Sequence, residues 1–141
     1  MNCSKKSSTL ADTKSIANKV ADYCIKNDKR VILLNGEMGA GKTTFTKYFA
    51  AAIGLKDQSA SPTFTILNTY ESENIKLLHF DLYRIDSLQE LEQTGFFEYI
   101  EDEAFVIIEW SNKLDLKEYF DEVIEIEIVK SNTERIFNIK G

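Results

Sequence analysis

Apolar residues near the start of the chain recur at three- and four-residue intervals, which predicts an amphipathic helix over residues 9–26. The first N–H groups of such a helix need a side-chain acceptor, so we predict Asp12 or Thr13 as its N-cap. Residues 1–8 precede this pattern, and we expect them to be frayed. Residues 9–141 contain no internal repeat, low-complexity tract or linker and are predicted to form one domain.

Two short, continuous apolar runs, 31–34 and 105–108, predict strands that are buried on both faces. A glycine-rich turn follows the first run, and a predicted helix then covers residues 43–53 and is closed by Gly54. Ser87 is predicted to cap a further helix downstream. The order of strand, glycine-rich turn and helix indicates an α/β unit.

The rest of the chain adds more strands. Residues 63–70 are rich in β-branched and aromatic side chains, and residues 76–82 also predict a strand. Residues 122–140 alternate apolar and polar side chains about residues 131–132, which predicts an antiparallel hairpin. The predicted fold class is therefore α/β, with a largely parallel central sheet flanked by helices and a C-terminal antiparallel hairpin.

Residues 36–43 match the phosphate-binding pattern G-x-x-x-x-G-K-[ST] in full. Its glycines let the backbone turn its amides toward an anion, and the next helix contributes free N–H groups and the positive end of its dipole. We predict that Lys42 reaches the β- and γ-phosphates and that the Thr43 hydroxyl binds Mg²⁺. The chain is therefore predicted to have the fold of a single-domain P-loop NTPase. The predicted nucleotide contacts in this segment are Glu37, Met38, Gly39, Ala40, Gly41, Lys42, Thr43 and Thr44.

Carboxylates at the ends of two predicted strands are candidates for a magnesium site. Asp81 follows the apolar run 77–80, and Glu109 follows the run 105–108. Either residue alone is equally well explained as a solvated side chain at a strand end. Beside a P-loop with no other acidic partner, both are predicted to hold the metal, directly or through water.

Four more residues near these positions each have two interpretations. Thr63 and Thr65, beside the only proline, belong either to a loop that senses the γ-phosphate or to an ordinary strand start. His79, the only histidine, is either catalytic or a hydrogen-bonded structural residue. Trp110 directly follows Glu109 and is either part of the core or part of the site.

The charge balance limits the partners. The 141 residues include 17 basic and 23 acidic side chains, which gives a formal net charge of −6. Neutralising nucleic-acid phosphates requires clustered Lys and Arg, yet the three arginines, Arg30, Arg84 and Arg135, are scattered along the sequence. We therefore expect no DNA binding, and we expect any link to RNA to pass mainly through a protein partner.

The location follows from what the sequence lacks. No apolar run approaches the ~20 residues that a membrane-spanning helix needs, and residues 1–11 contain no apolar core of a signal peptide. Cys3 and Cys24 have neither zinc-ligand spacing nor a CxxC pattern, so we expect two reduced thiols. The expected compartment is the cytoplasm, with no membrane contact.

Three classes of P-loop protein compete. Residues 112–115 spell the guanine-reading NKxD of GTPases, but no Asp lies three residues before any glycine and little chain follows. We therefore interpret that segment as the start of a short helix or turn. A small-molecule kinase needs arginines on a lid over the transferred phosphoryl group, which three dispersed arginines do not favour. The third class is an ATPase whose nucleotide state controls a partner protein.

Several short segments in a fixed order favour the third class. The P-loop alone is generic, but this order of segments is specific, and it resembles the TsaE family (formerly YjeE) over nearly the whole chain. TsaE is the ATPase of bacterial tRNA threonylcarbamoyladenosine (t6A) synthesis. The segments are LNGEMGAGKTT at 34–44, SPTFT at 61–65, HFDLYR at 79–84, Glu90-Leu91 with Gly95, and Glu109-Trp110.

The resemblance implies a Mg²⁺-dependent enzyme that binds ATP and releases ADP. It also implies two protein partners, TsaB and TsaD, which together modify adenosine 37 of tRNAs that read codons beginning with A. TsaE hydrolyses ATP without transferring the threonylcarbamoyl group, and the resemblance implies that hydrolysis drives or resets the partner complex. The net negative charge agrees with tRNA being handled mainly by the partners.

Carried over by position, the resemblance implies that Lys42 binds phosphate and that Thr43 and Glu109 bind Mg²⁺. Asp81 belongs to the same catalytic group and orients the metal or the attacking water, and Trp110 supports the site.

The resemblance also implies nucleotide contacts near the N-terminus and in the C-terminal hairpin, for which Thr9 and Arg135 are our candidates. Met38 stands where the family more often has leucine, a volume-conserving change of little expected consequence.

Overall fold

Parallel strands form the centre of a mixed sheet. The computed structural model describes residues 1–56, 61–62, 66–100 and 103–141, with the backbone alone at 61–62, and eight strands of these residues form one sheet. The strands are β1 (Cys3–Ser7), β2 (Val31–Gly36), β3 (Ser61–Pro62), β4 (Leu67–Glu71), β5 (Lys76–Asp81), β6 (Phe105–Glu109), β7 (Val123–Ser131) and β8 (Glu134–Lys140). Their order across the sheet is β1-β8-β7-β2-β6-β5-β4-β3, with β7, β2, β6 and β5 parallel and the outer pairs antiparallel. The predicted α/β class is confirmed, including the C-terminal hairpin.

Helices cover both faces of this sheet. The helices are α1 (Leu10–Asn27), α2 (Lys42–Ala52), α3 (Leu88–Gln93) and α4 (Phe96–Tyr99), with 3₁₀ turns at Ser111–Lys113 and Lys117–Tyr119. Because side chains alternate along a strand, Ile32 and Leu34 of β2 pack with α1 and α2, whereas Val31 and Leu33 pack with α3 and α4. Both faces are therefore buried, as the continuous apolar run of β2 predicts.

Aromatic packing fixes α2 on the sheet. Phe45 and Phe49 are fully buried on the inner face of α2, with ring centroids 6.1 Å apart. The ring of Phe45 also lies 5.9 Å from that of Phe137 on β8, and the ring of Phe49 lies 5.9 Å from that of Phe105 on β6. These contacts hold the N-terminus of α2, where the predicted phosphate site begins, against the carboxyl ends of the central strands.

The N-terminal region differs from the sequence prediction in two respects. The N-cap of α1 is Thr9, not Asp12 or Thr13: the Thr9 hydroxyl accepts from the Asp12 N–H at 3.1 Å, and the Asp12 carboxylate accepts from the Thr9 N–H at 3.2 Å. This reciprocal capping box places Asp12 three residues inside the helix. In place of the expected frayed end, Cys3–Ser7 pairs with β8, a long-range contact that local pattern does not reveal.

Other local predictions are confirmed. Ser87 caps α3 by accepting from the N–H of Glu90, and Gly54 follows α2 with a left-handed φ of 108°. Cys3 and Cys24 are free thiols. The predicted strand at 63–70 appears as β4 from Leu67, and residues 63–65 lie outside the described part of the chain. In the described ranges no helix combines the length and apolar character needed to span a membrane.

Candidate functional site

The loop between β2 and α2 has the backbone that phosphate binding requires. Gly39 and Gly41 adopt left-handed φ values of 78° and 105°, which side chains other than glycine rarely accept. A side chain at Gly36 would be too close to β7, because an added Cβ would lie 2.9 Å from the carbonyl oxygen of Ile128. The pattern 36–43 is therefore a formed loop at a strand–helix junction, as the sequence predicts.

Arg135 on β8 donates two hydrogen bonds to this loop. Its Nε donates to the Ala40 carbonyl at 3.1 Å, and its Nη2 donates to the Gly39 carbonyl at 3.2 Å. A trans peptide points its N–H away from its C=O, so the Gly41 N–H points away from the Arg135 guanidinium that the Ala40 carbonyl accepts from. Arg135 thus meets the loop through two carbonyl groups, a contact that the sequence alone did not specify.

Lys42 is buried at the start of α2. Only 7% of its surface is exposed, and its Nζ donates to the Gly36 carbonyl and lies 3.8 Å from the centre of the Trp110 ring. Burial lowers the pKa of Lys42, while the nearby Glu109 and Asp81 carboxylates act in the opposite direction. A phosphate that binds in the loop can therefore replace the Gly36 carbonyl and the Trp110 ring as contacts of the Lys42 ammonium.

The two candidate carboxylates lie side by side. Asp81 and Glu109 end the parallel neighbours β5 and β6 and are paired in register. Alternation along each strand puts them on the face that α2 covers, together with His79. Asp81 is exposed and accepts from the Tyr83 N–H at 3.0 Å, whereas Glu109 is only 5% exposed and its Oε2 contacts His79 Nε2.

Trp110 connects the lysine to the next loop. It has a left-handed φ of 61°, and its ring centre lies 5.0 Å from that of Tyr83. Behind it, the Asn35 side chain accepts from the Asn112 N–H at 3.3 Å and hydrogen-bonds Ser111 Oγ at 3.1 Å. The sequence alone does not reveal this role of Asn35 and Ser111, because the two polar residues lie far apart along the chain and form no recognisable motif.

The Asn-Lys of the NKxD segment lies in this loop. Residues Ser111–Lys113 form a 3₁₀ turn, which confirms the predicted short helix or turn. The Lys113 ammonium donates to the Tyr83 carbonyl and lies 3.6 Å from the Asp86 carboxylate. The Lys113 side chain thus links the segment that follows β6 to the segment that follows β5.

A cavity of about 350 Å³ opens beside the P-loop, on the side of α1 and β8. It joins residues that are far apart in sequence, among them the candidates Thr9, Thr44 and Arg135. Hydroxyl groups, one guanidinium and an aromatic ring line it, a mixture suited to a ribose and a base. Its lining also includes residues that sequence reasoning missed, because only the fold assembles them: Ser7, Ser8, Leu10, Thr13, Thr133 and Phe137.

The remaining predicted contacts lie around the loop. Thr43 is exposed in the first turn of α2, and Glu37 and Met38 are exposed at the loop tip, Met38 by 68%. Thr63 and Thr65 lie outside the described residues.

The oxygen donors near the loop suit magnesium. Within the described ranges there is no cluster of three or more His, Cys, Asp or Glu residues able to hold a metal by itself. Magnesium is usually bound by one or two carboxylates together with substrate phosphates, and it keeps several waters. Glu109 and Asp81, with the Thr43 hydroxyl, form an oxygen-only set of that size, so the residues present fit Mg²⁺ in the company of a nucleotide.

Comparison with known proteins identifies the family of this chain. A family model described as "Threonylcarbamoyl adenosine biosynthesis protein TsaE" matches residues 7–137. The chain belongs to the TsaE family. It is 37% identical over 127 residues to the tRNA threonylcarbamoyladenosine biosynthesis protein TsaE of Aquifex aeolicus, a match that covers 89% of this chain and 86% of the relative. The protein of the same name from Rickettsia conorii is 35% identical over 133 residues, or 92% and 69% of the two chains.

The fold of a solved structure agrees. A crystal structure of YdiB from Bacillus subtilis superposes with a TM-score of 0.69 at 27% identity, covering 99% of this chain and 84% of that one. The resemblance drawn from the sequence is therefore confirmed at the level of family and fold. The TsaE relatives are named for tRNA threonylcarbamoyladenosine biosynthesis, which places the family in tRNA modification.

Proposed function

We propose that this chain is a Mg²⁺-dependent ATPase required for t6A formation at adenosine 37 of tRNA. One observation carries the proposal: the ammonium of the P-loop lysine, Lys42, lies 3.8 Å from the ring centre of Trp110, which directly follows Glu109, the strand partner of Asp81, in a chain of the TsaE family. A phosphate-binding loop alone would support nucleotide binding. Two acidic side chains at the γ-phosphate end add what hydrolysis requires, a place for a divalent cation and a group to orient water.

Each residue has a distinct part in this proposal. The loop N–H groups and Lys42 bind the β- and γ-phosphates, and Thr43, Glu109 and Asp81 hold the hydrated cation. When bound, Mg²⁺ supplies neutralisation of the charge that develops on the phosphate oxygens. Asp81 is the more exposed carboxylate and therefore the one better placed to orient the attacking water.

The nucleoside occupies the cavity between α1 and β8. The Thr9 and Thr44 hydroxyls offer hydrogen bonds to the ribose, and Arg135 braces the loop beside it. The bound nucleotide would then run from this cavity along the P-loop to Lys42, with its γ-phosphate end near Trp110.

The proposed ATPase contributes to tRNA modification through protein partners. We propose that ATP turnover drives or resets a TsaB–TsaD complex that carries out threonylcarbamoyl transfer in the cytoplasm. With a formal net charge of −6 the chain has little electrostatic attraction for tRNA, so tRNA is held by the partners.

The decisive experiment measures t6A by nucleoside mass spectrometry in cells depleted of this protein. The cells are rescued with wild type, Lys42→Ala or Lys47→Ala, the last being a matched loss of an exposed lysine from the same helix. We expect wild type and Lys47→Ala to restore t6A and Lys42→Ala to fail. Unchanged t6A after depletion would remove the role in tRNA modification.

A second measurement tests the chemistry directly. Purified protein, alone and with TsaB and TsaD, is assayed for phosphate release from ATP with Mg²⁺ or with EDTA. We expect release only with Mg²⁺, and a far larger loss of activity than of folding stability in Glu109→Ala. Unfolding of Glu109→Ala would instead favour a structural role for this buried carboxylate.

A further inference from the structure

The only histidine of the chain is buried beside the proposed metal site. His79 lies on β5, between Asn68 of β4 and Ile107 of β6 in the register of the sheet, and is 6% exposed. Its side chain points to the face that carries Glu109 and Asp81. Burying a polar ring costs free energy unless the ring is hydrogen-bonded, so the partners of its two nitrogens matter.

The two ring nitrogens are in different situations. Nε2 contacts Glu109 Oε2, whereas Nδ1 is buried with no hydrogen-bond partner among the described residues. A carboxylate only accepts hydrogen bonds, so the Nε2–H of His79 is the donor in this contact and Glu109 Oε2 is the acceptor.

The contact with His79 restricts the flexible side chain of Glu109. Glu109 has three side-chain torsions. It lies between Leu34 of β2 and Asp81 of β5 at the carboxyl ends of these parallel strands. The contact with His79 occupies Oε2 and limits the rotation of the side chain, while Oε1 is not part of this contact.

We propose that His79 is the positioning residue for Glu109: its Nε2–H holds one carboxylate oxygen so that the other meets the cation at the nucleotide. This inference rests on the proposed function, because it assigns Glu109 the cation. Groups that orient metal-binding side chains in this way typically alter metal affinity or activity ~10–100-fold when they are removed.

Three variants separate positioning from packing. In His79→Gln the side-chain amide nitrogen reaches about as far as Nε2, in His79→Asn it reaches only as far as Nδ1, and His79→Leu fills the volume without any donor. The readouts are kcat, KM for ATP, the Mg²⁺ concentration for half-maximal turnover, and ADP affinity in EDTA. Thermal unfolding of each variant reports on folding.

We expect His79→Gln to stay close to wild type, while His79→Asn and His79→Leu need ~10–100-fold more Mg²⁺. The KM for ATP at saturating Mg²⁺ and the ADP affinity in EDTA should not change. Equal behaviour of the Gln and Leu variants would overturn the proposal, as would a loss of metal-free ADP binding in every variant. Should His79→Leu not fold, the comparison of His79→Gln with His79→Asn decides.

A spectroscopic measurement decides the same point without turnover. Because the chain has one histidine, ¹⁵N-histidine labelling of the untagged protein gives resonances that need no assignment. We expect the pattern of the Nε2–H tautomer, and we expect Glu109→Ala to change it. An Nδ1–H pattern would overturn the positioning role. If wild type lacks ATPase activity but shows the Nε2–H pattern and binds Mn²⁺ with ADP in a His79-dependent way, the hydrolysis proposal fails and positioning stands.

Discussion

Replacing Arg135 by methionine tests how the C-terminal hairpin contributes to nucleotide binding. Methionine keeps an unbranched apolar side chain but removes both hydrogen bonds, from Nε to the Ala40 carbonyl and from Nη2 to the Gly39 carbonyl. Without them the loop 36–43 is free to rotate its peptide planes when empty. Nucleotide binding must then also order the loop, so affinity falls.

The size of the effect follows from these two bonds. A hydrogen bond to a charged group is worth about 1.5–3 kcal/mol, but the bonds of Arg135 are partly exposed and water replaces much of each one. A combined loss of about 1.5 kcal/mol is therefore expected, which corresponds to roughly tenfold weaker ADP binding. Arg135→Lys retains a charge that reaches only one carbonyl at a time and should lie between wild type and Arg135→Met.

The assay compares ADP with inorganic pyrophosphate, each competing against a fluorescent ADP analogue. If Arg135 acts by ordering the loop, both competitors weaken by similar factors, because both use the loop amides. Lys140→Met, a charge loss at the far end of β8, serves as the control and should leave both affinities unchanged. Weaker ADP binding with unaltered pyrophosphate binding would refute the reasoning and assign Arg135 a direct contact with the nucleoside.

Three other predictions concern stability and pH. Phe45→Ala should lower the free energy of unfolding in urea by about 3–5 kcal/mol, because it leaves a cavity beside Phe49 and Phe137; a loss below about 1 kcal/mol would contradict this packing. Thr9→Ala should cost about 1 kcal/mol in the same measurement and Thr9→Ser little, since serine keeps the cap; equal losses would exclude the capping role. Because burial lowers the pKa of Lys42 below its usual 10.5, ADP affinity should fall as pH rises above the lowered pKa, and calorimetry in two buffers should detect proton uptake on binding. Over the same interval the free protein should gain stability, since the unfolded chain then binds more protons; ADP affinity independent of pH would contradict the assignment.

Local signals in the sequence predicted most of the fold. The apolar runs at 31–34 and 105–108 are buried on both faces because helices cover both sides of the sheet. The hairpin of β7 and β8 shows the alternation of a sheet with one face more exposed. The predicted N-cap of α1 is wrong because Thr9, Asp12 and Thr13 all offer a side-chain oxygen. Only the extended backbone at Thr9 distinguishes it from the other two.

The candidate site was predictable in part for a different reason. The P-loop is contiguous, so its glycines and Lys42 are visible in sequence, and Asp81 and Glu109 are marked by the strands that they end. The contact of His79 with Glu109 and the cavity beside Arg135 depend on which strands are neighbours. Strand order is a property of the whole sheet, and no local pattern encodes it.

The charges around Lys42 explain why nucleotide and cation should bind together. In the free protein the Lys42 ammonium is stabilised electrostatically by two carboxylates, Glu109 and Asp81, and it also contacts the Gly36 carbonyl and the face of Trp110. Phosphates that bind without a cation would pair with the Lys42 ammonium. The two carboxylates would then face additional negative charge in a partly buried site. A divalent cation that arrives with them would restore the balance, at the carboxylate that His79 contacts. On the proposed function we therefore expect the protein to prefer the magnesium complex of ATP over metal-free ATP.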